Sequence, residues 1–139
     1  MSVECFLDTN VLVYAVSSAE AEAAKSAMAL ELIQRSDFGL SAQVLQEFYV
    51  TVTRKIRRPL SPERAVELLD EYRFFPTVPT DYALIVSAVE LSLRYRISYW
   101  DGAVVAAAQA LSAVTLYTED LQHGQLYGSV RAHNPFLAV

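Results

Sequence analysis

The stretch Val3-Glu4-Cys5-Phe6-Leu7-Asp8-Thr9-Asn10 decides the fold. Its apolar part is short and reads as a buried strand over 3–7 that stops at an acid. Asp, Thr and Asn all favour strand-to-helix turns, so 8–10 is also turn chemistry. If further short apolar strands alternate with helices, the sheet is parallel and covered on both faces. Ligands in such sheets bind beyond the carboxyl ends of the strands. Asp8 is therefore either a turn residue or a carboxylate held rigidly at a binding edge, with Asn10 placed to orient it.

Working outward, residues 11–16 read as one or two helical turns. Ser17 with Glu20 matches a capping box, which predicts an alanine-rich helix to about Arg35. Residues 38–40 form a short second strand, and Ser41 is an N-cap for a helix from Ala42 to about Ile56. Arg58-Pro59 ends that helix, and Ser61-Pro62 opens the next. A third strand follows over 74–78. Thr80 or Asp81 caps a helix to Tyr95, and Ser98 caps another to about Ser112. Residues 114–118 have strong β composition and give a fourth strand. The tail beyond Leu121 reads as loops with one edge strand near 130–132. The expected architecture is an α/β three-layer sandwich, with a central parallel sheet of about four to five short strands flanked by helices. It forms a single domain over 1–139.

Composition narrows the functional classes. The chain is 53% hydrophobic and 19% charged, which supplies a core and argues against disorder. No apolar run approaches the roughly 20 residues of a membrane span. The first residues carry an acid and no basic segment, so no secretory signal is expected. Cys5 is the only cysteine and lies in an apolar stretch, the pattern of a buried thiol in a reducing cytoplasm. His123 and His133 are the only histidines, so no zinc pattern exists. The net charge of −5 is unfavourable for a nucleic-acid binder. Two features relieve it: acids gathered around cations invert the local field, and Arg54, Lys55, Arg57 and Arg58 form a basic cluster.

Five acids have the placement that chemistry would need, and each also has an ordinary reading. Asp8 ends the first strand. Glu47 borders the buried helical stripe Val44, Leu45, Phe48 and Val52, where it is a solvated glutamate or a carboxylate facing a crevice. Asp101 lies three residues after Ser98 and favours the helix dipole by about 0.3–1 kcal/mol. It also adjoins Trp100 and an apolar run, so it sits partly desolvated and wants a partner. Glu119 and Asp120 follow the fourth strand, with Thr118 beside them. The strand-end rule places them on the same sheet edge as Asp8. Gathered carboxylates repel and raise one another's pKa, so such a set calls for a cation. An all-oxygen set selects Mg²⁺ or Mn²⁺ over zinc. Bound there, the ion activates water and neutralises a phosphate, which points to phosphodiester hydrolysis.

Four stretches in order resemble the PIN (PilT N-terminus) domain family, and in particular the VapC-type toxins of bacterial toxin–antitoxin pairs. They are Phe-Leu-Asp-Thr-Asn at 6–10, Ser-Ala-Gln-Val-Leu-Gln-Glu-Phe at 41–48, Arg-Tyr-Arg-Ile-Ser-Tyr-Trp-Asp-Gly at 94–102 and Leu-Tyr-Thr-Glu-Asp-Leu at 116–121. The resemblance implies an endoribonuclease dependent on Mg²⁺ or Mn²⁺. By motif, Asp8, Glu47, Asp101 and Asp120 are its catalytic and metal-holding acids, with Glu119 able to share or replace Asp120. Asn10, Ser41 and Thr118 match supporting polar positions. The implied partners are RNA, a cognate antitoxin laid across the groove and a second copy of the chain. Arg54, Lys55, Arg57 and Arg58 are candidate RNA-phosphate contacts. Gly102 stands where the family more often has alanine, and glycine there weakens the helix by up to about 1 kcal/mol.

Rival readings fare less well. A phosphoaspartyl phosphatase wants a second acid two residues after the first, and Asn10 occupies that position. A receiver domain wants a late lysine, and Lys55 is the last one. A catalytically silent partner-binding domain is the third alternative. His123 and His133 read as surface residues in loops. Tyr49, Tyr95, Tyr99 and Trp100 read as core or interface aromatics rather than base-stacking platforms.

Overall fold

The computed structural model describes residues 3–139. β1 (Cys5–Leu7) is buried throughout and runs into α1 (Thr9–Val16). α2 (Ala23–Arg35), β2 (Phe38–Ser41), α3 (Ala42–Arg54) and α4 (Pro62–Tyr72) follow. Next come β3 (Thr77–Val78), α5 (Tyr82–Tyr95), α6 (Tyr99–Ala110) and β4 (Thr115–Tyr117), then β5 (Leu126–Tyr127) and β6 (Val130–His133). The sheet order is β3-β2-β1-β4-β6-β5. Every pairing is parallel except β5 with β6. The expected α/β sandwich is the fold observed, with six strands in place of four to five and one antiparallel pairing in an otherwise parallel sheet.

Local chemistry explains most boundaries. Ser41, Ser61, Asp81 and Ser98 each cap a helix, accepting from the backbone N–H of Val44, Arg64, Leu84 and Asp101 respectively. Phe6, Leu7, Leu40 and Leu116 are fully buried between the helical layers, and one continuous cluster forms the core. Cys5 belongs to it, and burial pushes its thiol up to about 12.

Three expectations need correction. Ser17 does not cap α2. Its hydroxyl accepts from Ala19 N at 3.3 Å and meets Glu22 Oε1 at 2.5 Å, so a single 3₁₀ turn over Glu20–Glu22 intervenes before the helix. The third strand shrinks to Thr77–Val78, because Phe74 is left exposed. The tail carries two strands rather than one. β6 pairs parallel with β4, and the edge position goes to β5 through an antiparallel turn at Gly128, whose φ is +64°. His133 therefore lies on a strand, not in a loop.

Gly102 has a packing role. A Cβ there would lie 2.6 Å from the Ala88 carbonyl oxygen and 3.2 Å from Ser92. Glycine thus lets α6 close on the backbone of α5.

Candidate active site

The chain leaves β1 toward β2 on one side, whereas β4 lies on the other. The gap between β1 and β4 is the topological switch point where α/β sheets bind ligands. Asp8 sits at that point, its N–H donating to the Tyr117 carbonyl at 3.0 Å in continuation of the ladder. It also caps α1. Its Oδ1 accepts from Thr9 N at 2.7 Å and its Oδ2 from the Thr118 hydroxyl at 2.7 Å. Both donors are neutral, and Asp8 is only 5% exposed. Burial pushes its carboxyl up to about 7; the two hydrogen bonds oppose that rise, and the charges of Asp120 and Glu47 add to it.

Thr118 serves two residues at once. While donating to Asp8, its hydroxyl accepts from Asp120 N at 3.1 Å. The Asp120 side chain accepts from Asn10 Nδ2 at 3.1 Å. Asn10 therefore orients Asp120, not Asp8 as the sequence suggested. Desolvation and the charge of Asp101 raise the Asp120 carboxyl above its ordinary value, and the Asn10 contact opposes them. Glu119, one residue earlier, turns elsewhere. Its Oε1 accepts from the Tyr14 hydroxyl at 2.7 Å, and its Oε2 lies 3.5 Å from Lys25 Nζ.

Glu47 is exposed on α3 and accepts from Gln43 Nε2 at 2.7 Å. The same amide donates to the Trp100 carbonyl at 3.2 Å, which ties α3 to the turn bearing Asp101. Ser41 is buried, and its hydroxyl accepts from Val44 N at 3.2 Å, which fixes the start of the helix that carries Glu47. Trp100 is 65% exposed, so it does not belong to the core.

A crevice of about 290 Å³ opens here, lined by Asn10, Tyr14, Glu47, Glu119 and Asp120 among others. Asp8, Glu47, Asp101 and Asp120 form no salt bridge among the described residues. Among the described residues two buried oxygens, Thr9 Oγ1 and Asn10 Oδ1, have no hydrogen-bond partner. Uncompensated carboxylates, raised pKa values and unpaired oxygens fit a hard divalent cation. The acids are not drawn into a closed cage: among the described residues no three His, Cys, Asp or Glu stand close enough to hold an ion.

The basic cluster lies along the same surface. Arg54 ends α3, Lys55 caps it, and Arg57 and Arg58 follow, all exposed. Lys55, Arg57 and Arg58 line a groove of about 320 Å³. Val13 and Glu22 line both this groove and the acidic crevice, so the two are adjacent.

Sequence reasoning missed Tyr14, Lys25 and Gln43. Gln43 was detectable as a polar residue four positions before Glu47 on one helix face. Tyr14 and Lys25 carried no signal.

A family model described as PIN domain matches residues 5–128. Among solved structures, the Mycobacterium tuberculosis toxin VapC20, which cleaves the sarcin–ricin loop, superposes with a TM-score of 0.65 at 18% identity, over 84% of this chain and 89% of that one. The DNA-bound VapBC of Salmonella typhimurium gives 0.64 at 15% identity, over 96% and 98% of the two chains. VapBC2 of Rickettsia felis, bound to a promoter fragment, gives 0.60 at 19% identity, over 94% and 98%. At these identities the superpositions establish the fold. No curated protein matches the sequence significantly.

Proposed function

The chain belongs to the PIN domain family, and on that premise we propose that it is a Mg²⁺- or Mn²⁺-dependent endoribonuclease, the toxin of a type II toxin–antitoxin pair. One observation carries the reading. Asp8 is a buried carboxyl at the sheet's switch point, held by two neutral donors and facing further acids, with no basic side chain paired to it among the described residues. Such a group stays neutral or acquires a cation.

Asp8, Glu47, Asp101 and Asp120 would supply the carboxylates for the ion, closing on it from the open spacing in which no three of them stand close enough to hold one. Once bound, Mg²⁺ or Mn²⁺ supplies the charge that neutralises the attacked phosphate and acidifies the attacking water. The protein's own groups set the geometry. Thr118 fixes the Asp8 carboxylate and the Asp120 backbone together, Asn10 aims the Asp120 side chain, and Gln43 aims Glu47. Lys55, Arg57 and Arg58, with Arg54 beside them, hold RNA phosphates in the groove next to the crevice.

The remaining parts of the reading rest on surface features. On α5 the exposed residues Tyr82, Ile85, Val86, Val89 and Leu93 share one face, opposite the buried Leu84, Ala88 and Leu91. That stripe supports pairing with a second copy. The open crevice supports silencing by an antitoxin segment laid across it. A free buried thiol, and no helix among the described residues long and apolar enough to cross a membrane, agree with a cytoplasmic setting. A single nuclease domain over 1–139 completes the reading.

The openness of the acid set is the observation favouring the rival, a partner-binding domain without activity. Incubating the purified chain with total RNA and Mn²⁺, with and without EDTA, separates the two. Cleavage that EDTA abolishes supports the nuclease. Intact RNA across metals and RNA pools, with no divalent ion bound, supports the rival.

A further inference from the structure

Two adjacent acids end β4, and the structure treats them differently. Asp120 is tied to Asn10 and feels the charge of Asp101. Glu119 is clamped between Tyr14 and Lys25. The Tyr14 hydroxyl donates to Glu119 Oε1 at 2.7 Å, and Lys25 Nζ stands 3.5 Å from Oε2. Lys25 also donates to the Tyr14 oxygen at 3.2 Å, so the three groups close a ring. The clamp is itself anchored. Lys25 lies 4.8 Å from the centroid of the Tyr14 ring, and that ring packs edge-on against Phe136 at 4.8 Å. Phe136 is buried, so the arrangement is seated on the core.

We propose that Tyr14 and Lys25 form a latch that holds Glu119 off the cation site, so that the site draws its β4 carboxylate from Asp120 alone. Glu119 is then a restrained acid beside the site rather than a ligand, and Tyr14 and Lys25 are positioning residues. The proposal rests on the cation-dependent reading above and adds how many carboxylates the site admits. The physical reason for restraint is charge. A fifth carboxylate would tighten cation binding, and would add negative charge where an RNA phosphate must approach. Lys25 cancels that charge and Tyr14 fixes its direction.

Mn²⁺ titration calorimetry at fixed ionic strength tests the latch. Tyr14→Phe changes no charge and keeps the ring on Phe136; it is expected to tighten Mn²⁺ binding about two- to threefold. Lys25→Met is expected to tighten it about tenfold or more. Glu119→Gln in the native background should leave affinity within about twofold. Adding Glu119→Gln to Lys25→Met should cancel the gain, with a coupling of about tenfold between the two changes. Purely additive effects would mean that Lys25 acts only through its field, and an unchanged Tyr14→Phe affinity would mean that the hydroxyl restrains nothing; either result overturns the latch. So does a loss of Mn²⁺ affinity in Glu119→Gln as large as in Asp120→Asn, because Glu119 would then be a ligand. If the native chain itself binds no Mn²⁺, the latch and the metal-dependent reading fall together. If it binds Mn²⁺ and the coupling is absent, only the latch falls. Circular dichroism on each variant confirms the fold, and Tyr14→Phe, the mildest change, decides the matter should Lys25→Met not fold.

Discussion

The Thr118 hydroxyl donates to Asp8 Oδ2 at 2.7 Å, joining residues 110 positions apart in the chain. The bond spans the ends of β1 and β4, so the sheet's topology becomes the site's geometry. Thr118 is fully buried, and no water competes for its hydroxyl.

Replacing Thr118 by valine keeps the shape and removes the donor. A buried carboxylate left short of a partner costs about 1–3 kcal/mol of stability. Loss of an orienting partner around a cation site costs about 10–100-fold in affinity or activity. Denaturant unfolding and RNA cleavage rates measure the two losses, and Thr118→Ser should restore most of both.

The pH dependence of the metal-free protein has a definite sign. The folded pKa of Asp8 is raised to about 7 from an ordinary 3.8. Between those values the folded state keeps a proton that the unfolded state has lost. Stability therefore falls as pH rises from about 4 to about 7, then levels off, by an amount on the order of 4 kcal/mol. Asp120, also raised, adds in the same direction. Urea unfolding in EDTA at several pH values should show this fall in the native chain and a much flatter curve in Asp8→Asn, which is the more stable of the two at pH 8.

Gly102→Ala should destabilise the protein even though alanine is the better helix former. The helix gain is up to about 1 kcal/mol. Against it, the new Cβ would meet the Ala88 carbonyl oxygen at 2.6 Å and force α5 and α6 apart. Overpacking of this kind costs about 1–3 kcal/mol. Thermal unfolding should show a lower midpoint.

Arg57 and Arg58 line the groove next to the acidic crevice. Changing both to alanine should weaken binding of single-stranded RNA to a cleavage-dead Asp8→Asn background. The slope of log affinity against log salt should fall by about 1.4, or 0.7 per lost phosphate contact. An unchanged slope would remove these residues from the RNA path.

The sequence was most legible where structure is local. Ser41, Ser61, Asp81 and Ser98 were identified as caps because each bonds the backbone within three residues. Ser17 misled for the same reason: its hydroxyl had a nearer partner in Ala19, and that turn displaced the expected cap. β6 was legible as a strand near 130–132 because its buried and exposed residues alternate, whereas β5 was not, being two residues long with only Tyr127 buried. In the site, the strand-end rule put Asp8 on one sheet edge with Glu119 and Asp120 with no contact information; that Thr118 joins the two strand ends through its hydroxyl was not legible. The partners that aim the acids were invisible when they came from afar: Tyr14 lies 105 positions from Glu119 and Lys25 lies 94. Of the two readings of Trp100, core or interface aromatic, its 65% exposure on the first turn of α6 removes the core.

The most direct test compares RNA cleavage by the native chain and by folded Asp8→Asn in Mn²⁺. The account predicts cleavage by the native chain that EDTA stops, and a loss of at least about a thousandfold in Asp8→Asn, whose thermal stability at pH 8 is equal or higher. Equal cleavage by the two proteins, or cleavage by the native chain that persists in EDTA, would contradict it.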